Sequence, residues 1–106
     1  MGGKNANIVF EDCDFDLALK TSLRSSFANQ GEICLCGSRI YVQRPIYERF
    51  LNGLVQGAKA LKVGDPTKSD VNLGALVSKE HWEKVVSYID LGVKEGGKIE
   101  CGGQKP

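Results

Sequence analysis

The chain is poor in several residue types, and each shortage closes off a class of function. It contains one histidine, one tryptophan, one methionine and three prolines. The lone histidine, His81, has no partner at helical ligand spacing, so a histidine-based metal site is not expected. Charge of one sign is not in surplus. The chain carries 14 basic and 13 acidic residues, for a net charge of +1, and nothing marks it for nucleic acid or an anionic membrane. The two signs are mixed along the sequence, so no acidic or basic tail stands apart. No apolar run approaches the roughly 20 residues that span a bilayer. The first residues, Met1-Gly2-Gly3-Lys4-Asn5-Ala6, lack the apolar core of a signal peptide. No Asn-x-Ser/Thr sequon occurs. These absences lead us to expect a soluble, cytoplasmic protein with no membrane and no nucleic-acid partner.

The four cysteines are Cys13, Cys34, Cys36 and Cys101. Disulfide scaffolds are denser in cysteine than this. Cys34-x-Cys36 is tighter than the usual zinc spacing and no second pair follows, so no metal is expected. Hydrophobic residues make up 42% and charged residues 25% of the 106 residues, the composition of one ordinary small domain.

The patterning is that of an α/β protein. Asn7-Ile8-Val9-Phe10 is a short apolar, β-branched run and reads as a buried strand. Asp12 or Asp14 then offers an N-cap. Phe15, Leu19, Leu23 and Phe27 recur every four residues, the stripe of a helix lying on a sheet and ending near Asn29. Gln30 to Gly37 reads as a loop, with Asn29 and Gln30 shaping it through side-chain hydrogen bonds to the backbone. Arg39 to Gln43 is a second strand. Pro45 opens a second helix with Ile46, Phe50, Leu54, Val55, Ala58 and Leu61 on its apolar face. Gly64-Asp65-Pro66 stops it, and Thr67 to Asn72 reads as a mobile loop. Ser78 caps a third helix whose face is Trp82, Val85, Val86, Ile89 and Val93. Lys98 to Cys101 reads as a third strand after Gly96-Gly97. The order β-α-β-α-α-β implies a partial parallel sheet with covering helices. Such sheets are normally covered on both faces, so the expected architecture is part of a larger domain.

The informative stretch is Phe27-Ala28-Asn29-Gln30-Gly31-Glu32-Ile33-Cys34-Leu35-Cys36-Gly37-Ser38-Arg39, between a helix end and a strand start. A thiol in such a loop can lie near backbone N–H groups that stabilise a thiolate and then an oxyanion. Taken alone, Cys34 would read as a small buried hydrophobe. The stretch, however, resembles the cysteine signature of the aldehyde dehydrogenase superfamily: an aromatic or aliphatic residue, several positions, Gly, Gln or Glu, any residue, then the nucleophilic Cys. Phe27, Gly31, Glu32 and Cys34 fill it in register, and Ser38-Arg39 continues it. Gly2-Gly3-Lys4-Asn5 is similar to the tail of the family's Glu-x-Gly-Gly-Lys motif. Val63-Gly64-Asp65-Pro66 resembles its Val-Gly-x-Pro turn, and Gly74 to Ser78 its lead into the helix beside the cofactor.

The resemblance implies covalent catalysis by Cys34 on an aldehyde, with NAD (or NADP) as hydride acceptor. His81 and Lys84, three residues apart on one helix face, occupy positions where the family places polar groups near the cofactor's nicotinamide-side ribose; by themselves they read as a solvated helix face. The resemblance makes residues 1–106 the first half of an aldehyde dehydrogenase catalytic domain, with the general-base glutamate and the cofactor-binding domain absent. The isolated chain is then expected to be inactive. Two other readings stay open. One is a non-catalytic form that associates with full-length subunits or with its own copies. The other is a small thiol-redox or metal protein using Cys34 with Cys36. Cys36 itself is expected to pack, Cys13 and Cys101 to be structural or idle, and Glu32 to be a solvated loop residue.

Overall fold

The computed structural model describes residues 2–105. The elements are β1 (Ala6–Val9), α1 (Phe15–Phe27), a 3₁₀ turn (Ala28–Gly31), β2 (Arg39–Val42), a second 3₁₀ turn (Arg44–Ile46), α2 (Tyr47–Lys59) and α3 (Lys79–Lys94). They fall into two compact units, residues 1–61 and 62–106, and each is described by itself.

In the first unit β1 and β2 pair in parallel, with Ala6 opposite Arg39 and Val9 opposite Val42. This is the pairing expected of strands joined by a helix. Alternation along β1 sorts its faces. Val9 is buried at 4% exposure, and Asn7 donates to the α1 hydroxyl of Ser22 at 2.8 Å. Ile8 and Tyr41, which pair across the strands, stand exposed on the other side at 61% and 56%. The helices cover one face of the sheet and leave that one bare.

Helix α1 starts where Asp14 accepts from the Leu17 N–H at 3.1 Å, which resolves the choice between Asp12 and Asp14. It packs on α2 along the expected stripes. Phe15 and Phe50 meet edge to face with centroids 5.9 Å apart, and the Arg49 guanidinium lies 3.8 Å from the Phe15 ring centre. Phe50 is 1% exposed and is the centre of the small core. Close approach of the two helices depends on glycine. A β-carbon on Gly53 would lie 2.7 Å from a Leu19 methyl, and one on Gly57 would overlap Leu23. We therefore expect Gly57→Val to lower unfolding stability by about 1–3 kcal/mol through overpacking, although glycine is otherwise a poor residue inside a helix. Urea denaturation checks it: an unchanged midpoint would mean that α1 and α2 can separate without penalty.

In the second unit, the stretch expected to be a mobile loop is instead closed on itself. Lys62 N–H donates to the Asn72 side-chain oxygen at 2.8 Å, and Asn72 N–H returns a bond to the Lys62 carbonyl at 2.9 Å. Val63 and Leu73 form a single parallel bridge. Within the loop Asp65 accepts from the Thr67 N–H and hydroxyl at 3.0 and 2.8 Å. These bonds, the N–H first, hold its carboxyl below the usual carboxylate range. Helix α3 is capped as expected, Ser78 Oγ accepting from the His81 N–H at 3.1 Å. The Glu80 carboxyl in that first turn is likewise held low by its own N–H and then by the Ser78 hydroxyl.

The α/β class and the parallel pairing are as expected, but the third strand over Lys98–Cys101 is not formed among the described residues. A strand exists only against a partner, and no strand edge in this unit is offered to it. Ile99 stays 46% exposed, Lys98 pairs with Glu100 at 2.9 Å, and Gly102 and Gly103 turn the backbone away at φ of 74° and 77°.

Candidate active site

Cys34 sits in a β-turn between α1 and β2. The turn is closed by the Cys36 N–H donating to the Ile33 carbonyl at 2.9 Å, so Cys34 and Leu35 are its two corner residues. Both are exposed, Leu35 at 78%, whereas Cys36 is buried at 7%, in the packing role expected of it. Cys13 and Cys101 are half-buried, and all four thiols are free. Among the described residues the Cys34 N–H has no hydrogen-bond partner.

The turn is reached by an unusual backbone path. Asn29, Gln30 and Gly31 are all left-handed, at φ of 50°, 58° and 74°. For the two non-glycine residues this conformation is disfavoured by about 1–2 kcal/mol each. It stops α1 short of Asn29 and reverses the chain. The side chains of Asn29 and Gln30 make no hydrogen bond among the described residues. These two residues therefore shape the loop through their own φ and ψ and not, as expected, through side-chain bonds. At Gly31 a β-carbon would come within 3.0 Å of the Ser26 carbonyl, which explains the glycine of the motif.

Downstream, the loop is tied back to α1. The Gly37 N–H donates to Ser25, to its carbonyl at 3.1 Å and its hydroxyl at 3.0 Å. The Ser26 hydroxyl donates to the Gly37 carbonyl at 3.1 Å. On the other side, Gly3 lies directly against the Cys34 carbonyl, where any β-carbon would collide with that oxygen. Asn5 donates its carboxamide to the Cys34 carbonyl at 2.6 Å and the Cys36 carbonyl at 3.3 Å. The sequence singled out Cys34 as a candidate but gave no place to Gly3, Asn5, Ser25 and Ser26, which the structure sets around its turn. The only signal for them was the run Gly2-Gly3-Lys4-Asn5, whose spacing to the cysteine carries no chemistry by itself.

The turn also stands at an uncommon place. It precedes β2, and Arg39 pairs with Ala6 at the amino ends of both strands. Open α/β sheets more often bind their ligands outside the carboxyl ends.

His81 and Lys84 belong to the second unit. They share one face of α3 as expected, lining a shallow cavity of about 360 Å³ with Val85, Tyr88 and Ile89. Lys84 is exposed and His81 half-buried. An imidazole, an ammonium and a phenol around an apolar floor are donors suited to sugar hydroxyls. Among the described residues no group of three or more His, Cys, Asp or Glu side chains could hold a metal ion. Among the described residues no helix is long and apolar enough to cross a membrane.

Comparison with known proteins agrees along the whole chain. The aldehyde dehydrogenase family matches residues 1–106. The 2-aminomuconic semialdehyde dehydrogenase of Bos taurus is 53% identical over 102 residues, which is 96% of this chain and 21% of that protein. The 2-hydroxymuconic semialdehyde dehydrogenase of Pseudomonas putida is 48% identical over 106 residues, all of this chain and 22% of that protein. Among solved structures, betaine aldehyde dehydrogenase from Staphylococcus aureus in complex with NAD+ superimposes with a TM-score of 0.97 at 40% identity. That match covers 100% of this chain and 21% of the other. The chain thus spans about a fifth of the length of the relatives it matches.

Proposed function

The chain belongs to the aldehyde dehydrogenase family, and from that membership we propose that residues 1–106 form the nucleophile-bearing part of a catalytic domain that oxidises an aldehyde to its carboxylic acid. The observation that carries this reading is the Ile33–Cys36 turn, which exposes Cys34 and, among the described residues, leaves its N–H without a partner. The Cys34 thiolate adds to the aldehyde carbon, and the carbonyl electron pair moves onto oxygen. The Cys34 N–H faces that developing charge without first having to break another bond. Loss of hydride from the carbon turns the thiohemiacetal into a thioester on Cys34. Water then attacks the thioester, the acid departs and the thiol returns. NAD (or NADP), when bound, supplies the hydride acceptor. His81 and Lys84 would hold its nicotinamide-side ribose. The wording Arg24-Ser25-Ser26-Phe27-Ala28-Asn29-Gln30-Gly31-Glu32-Ile33-Cys34-Leu35-Cys36 and the relatives above favour a muconic-type semialdehyde as substrate.

The purified 106-residue chain, given NAD+ and an aldehyde, should form no reduced nicotinamide. Its thiols should still differ. With iodoacetamide under native conditions Cys34 is alkylated fastest, as peptide mapping would record. If Cys34 reacts no faster than Cys13 and Cys101, the turn does not present a nucleophile and the reading fails.

The bare sheet face favours a second reading alongside the first. Ile8 and Tyr41 are more than half exposed, at 61% and 56%, on a parallel sheet of the kind usually covered on both sides, and Phe10, just past the end of β1, is 59% exposed. Association with further polypeptide of the same family, full-length subunits included, would cover it.

A further inference from the structure

We propose that Asn5 is a positioning residue for the nucleophile: its carboxamide holds the turn that presents Cys34. The proposal rests on the reading of Cys34 given above and adds a residue that reading does not use.

Asn5 lies 29 positions before Cys34, yet its side-chain N–H₂ donates to the turn on both sides of Leu35. One bond goes to the Cys34 carbonyl at 2.6 Å and one to the Cys36 carbonyl at 3.3 Å. The amide has two hydrogens, so both carbonyls can be served at once. The backbone fixes where this amide stands, because the Asn5 carbonyl accepts from the Arg39 N–H at 3.2 Å as β2 begins. Asn5 is therefore anchored to the sheet through its main chain and to the turn through its side chain.

The consequence is directional. With the Cys34 and Cys36 carbonyls both drawn toward Asn5, the peptide planes of the corner are set. The Cys34 N–H, which has no partner among the described residues, is left for the oxygen of the substrate. The thiol stays exposed while Cys36 stays buried. The neighbouring contact of Gly3 with the Cys34 carbonyl leaves no room for a bulkier clamp. A small carboxamide reaching in beside a glycine meets both demands.

Asn5→Asp separates hydrogen-bond donation from packing. Aspartate has nearly the same shape, but its carboxylate only accepts, and it would face two carbonyl oxygens. The measurement is the ratio of Cys34 to Cys13 alkylation rates by iodoacetamide, taken in the native 106-residue chain and again in urea. In the native chain this ratio should exceed the urea value. In Asn5→Asp and Asn5→Ala it should fall toward the urea value, by about five- to tenfold for a lost bond of ordinary strength. In Asn5→Ser, which keeps one donor, it should recover in part. The far-UV helical signal and the protection of Cys36 should persist throughout. Retention of the native ratio in Asn5→Asp would overturn the proposal. So would loss of the helical signal with Cys36 exposed as in urea, since Asn5 would then be holding the whole unit and not the turn. If the unsubstituted chain already shows Cys34 no faster than Cys13 and Cys101, the nucleophile reading fails first and the positioning role falls with it.

Discussion

Cys34→Ala abolishes aldehyde oxidation in an aldehyde dehydrogenase into which these 106 residues are exchanged for the matching fifth of the chain, whereas Cys36→Ser does not. Such an exchange is practical because the sequences align over the whole length at about half identity. The expected fall is roughly four orders of magnitude or more in turnover, the scale of removing a covalent nucleophile whose partners act with it as a unit. Cys34 is the exposed corner of its turn, while Cys36 is 7% exposed, so only the first thiol can reach a carbonyl from solvent. And no other nucleophile shares the corner, since its neighbours are Ile33 and Leu35. Formation of reduced nicotinamide reads the overall reaction. Mass spectrometry of the quenched enzyme reads the thioester, which should be absent from Cys34→Ala and present on the Cys34 peptide of Cys36→Ser. A Cys34→Ala exchange enzyme that still turns over near the parent rate would move the nucleophile elsewhere. A dead Cys36→Ser enzyme with its fold intact would restore the rival idea that the two thiols act as a pair.

Most of the elements were legible in the sequence because their signals are local. The stripe Phe15, Leu19, Leu23 and Phe27 announces α1, and Ser78 announces the start of α3, since capping and periodicity act over a few residues. The third strand was misread for the complementary reason. Lys98 to Cys101 has an extended composition, but a strand is defined by a partner that local sequence cannot supply. The site divides in the same way. Cys34 could be singled out as the candidate from Gly31, Glu32 and Ser38-Arg39 in register. Its clamp could not, because Asn5 meets Cys34 across 29 positions and only the parallel pairing of β1 with β2 brings them together. The left-handed run at Asn29 and Gln30 was hidden as well. Glutamine has no intrinsic leaning to that conformation, so nothing local announces it.

The ties from Ser25 and Ser26 to Gly37 stand on a small core, and Phe50→Ala should show how small. Among the described residues of the first unit, Phe50 is the one large side chain that is essentially sealed, at 1% exposure, with Phe15 against its edge. Truncating a buried phenylalanine removes about 3–5 kcal/mol. A unit of 61 residues has only roughly 3–9 kcal/mol to lose at the usual stability per residue. Loss of Phe50 should therefore remove from about a third to all of that stability, so the unit unfolds in far less urea than the unsubstituted chain. The control is Ile8→Ala, an apolar truncation at a site 61% exposed, which should move stability by no more than about 0.5 kcal/mol. Far-UV circular dichroism in urea separates the two variants, and thiol mapping connects the result to function. At a urea concentration that unfolds Phe50→Ala but not Ile8→Ala, Cys36 of Phe50→Ala should alkylate freely, and the difference between Cys34 and Cys13 should disappear, because the turn has no sheet or α1 to hold it. If Phe50→Ala and Ile8→Ala prove equally mild, the interior described around α1 and α2 is not what keeps Cys34 in place, and the turn must be held by its own hydrogen bonds.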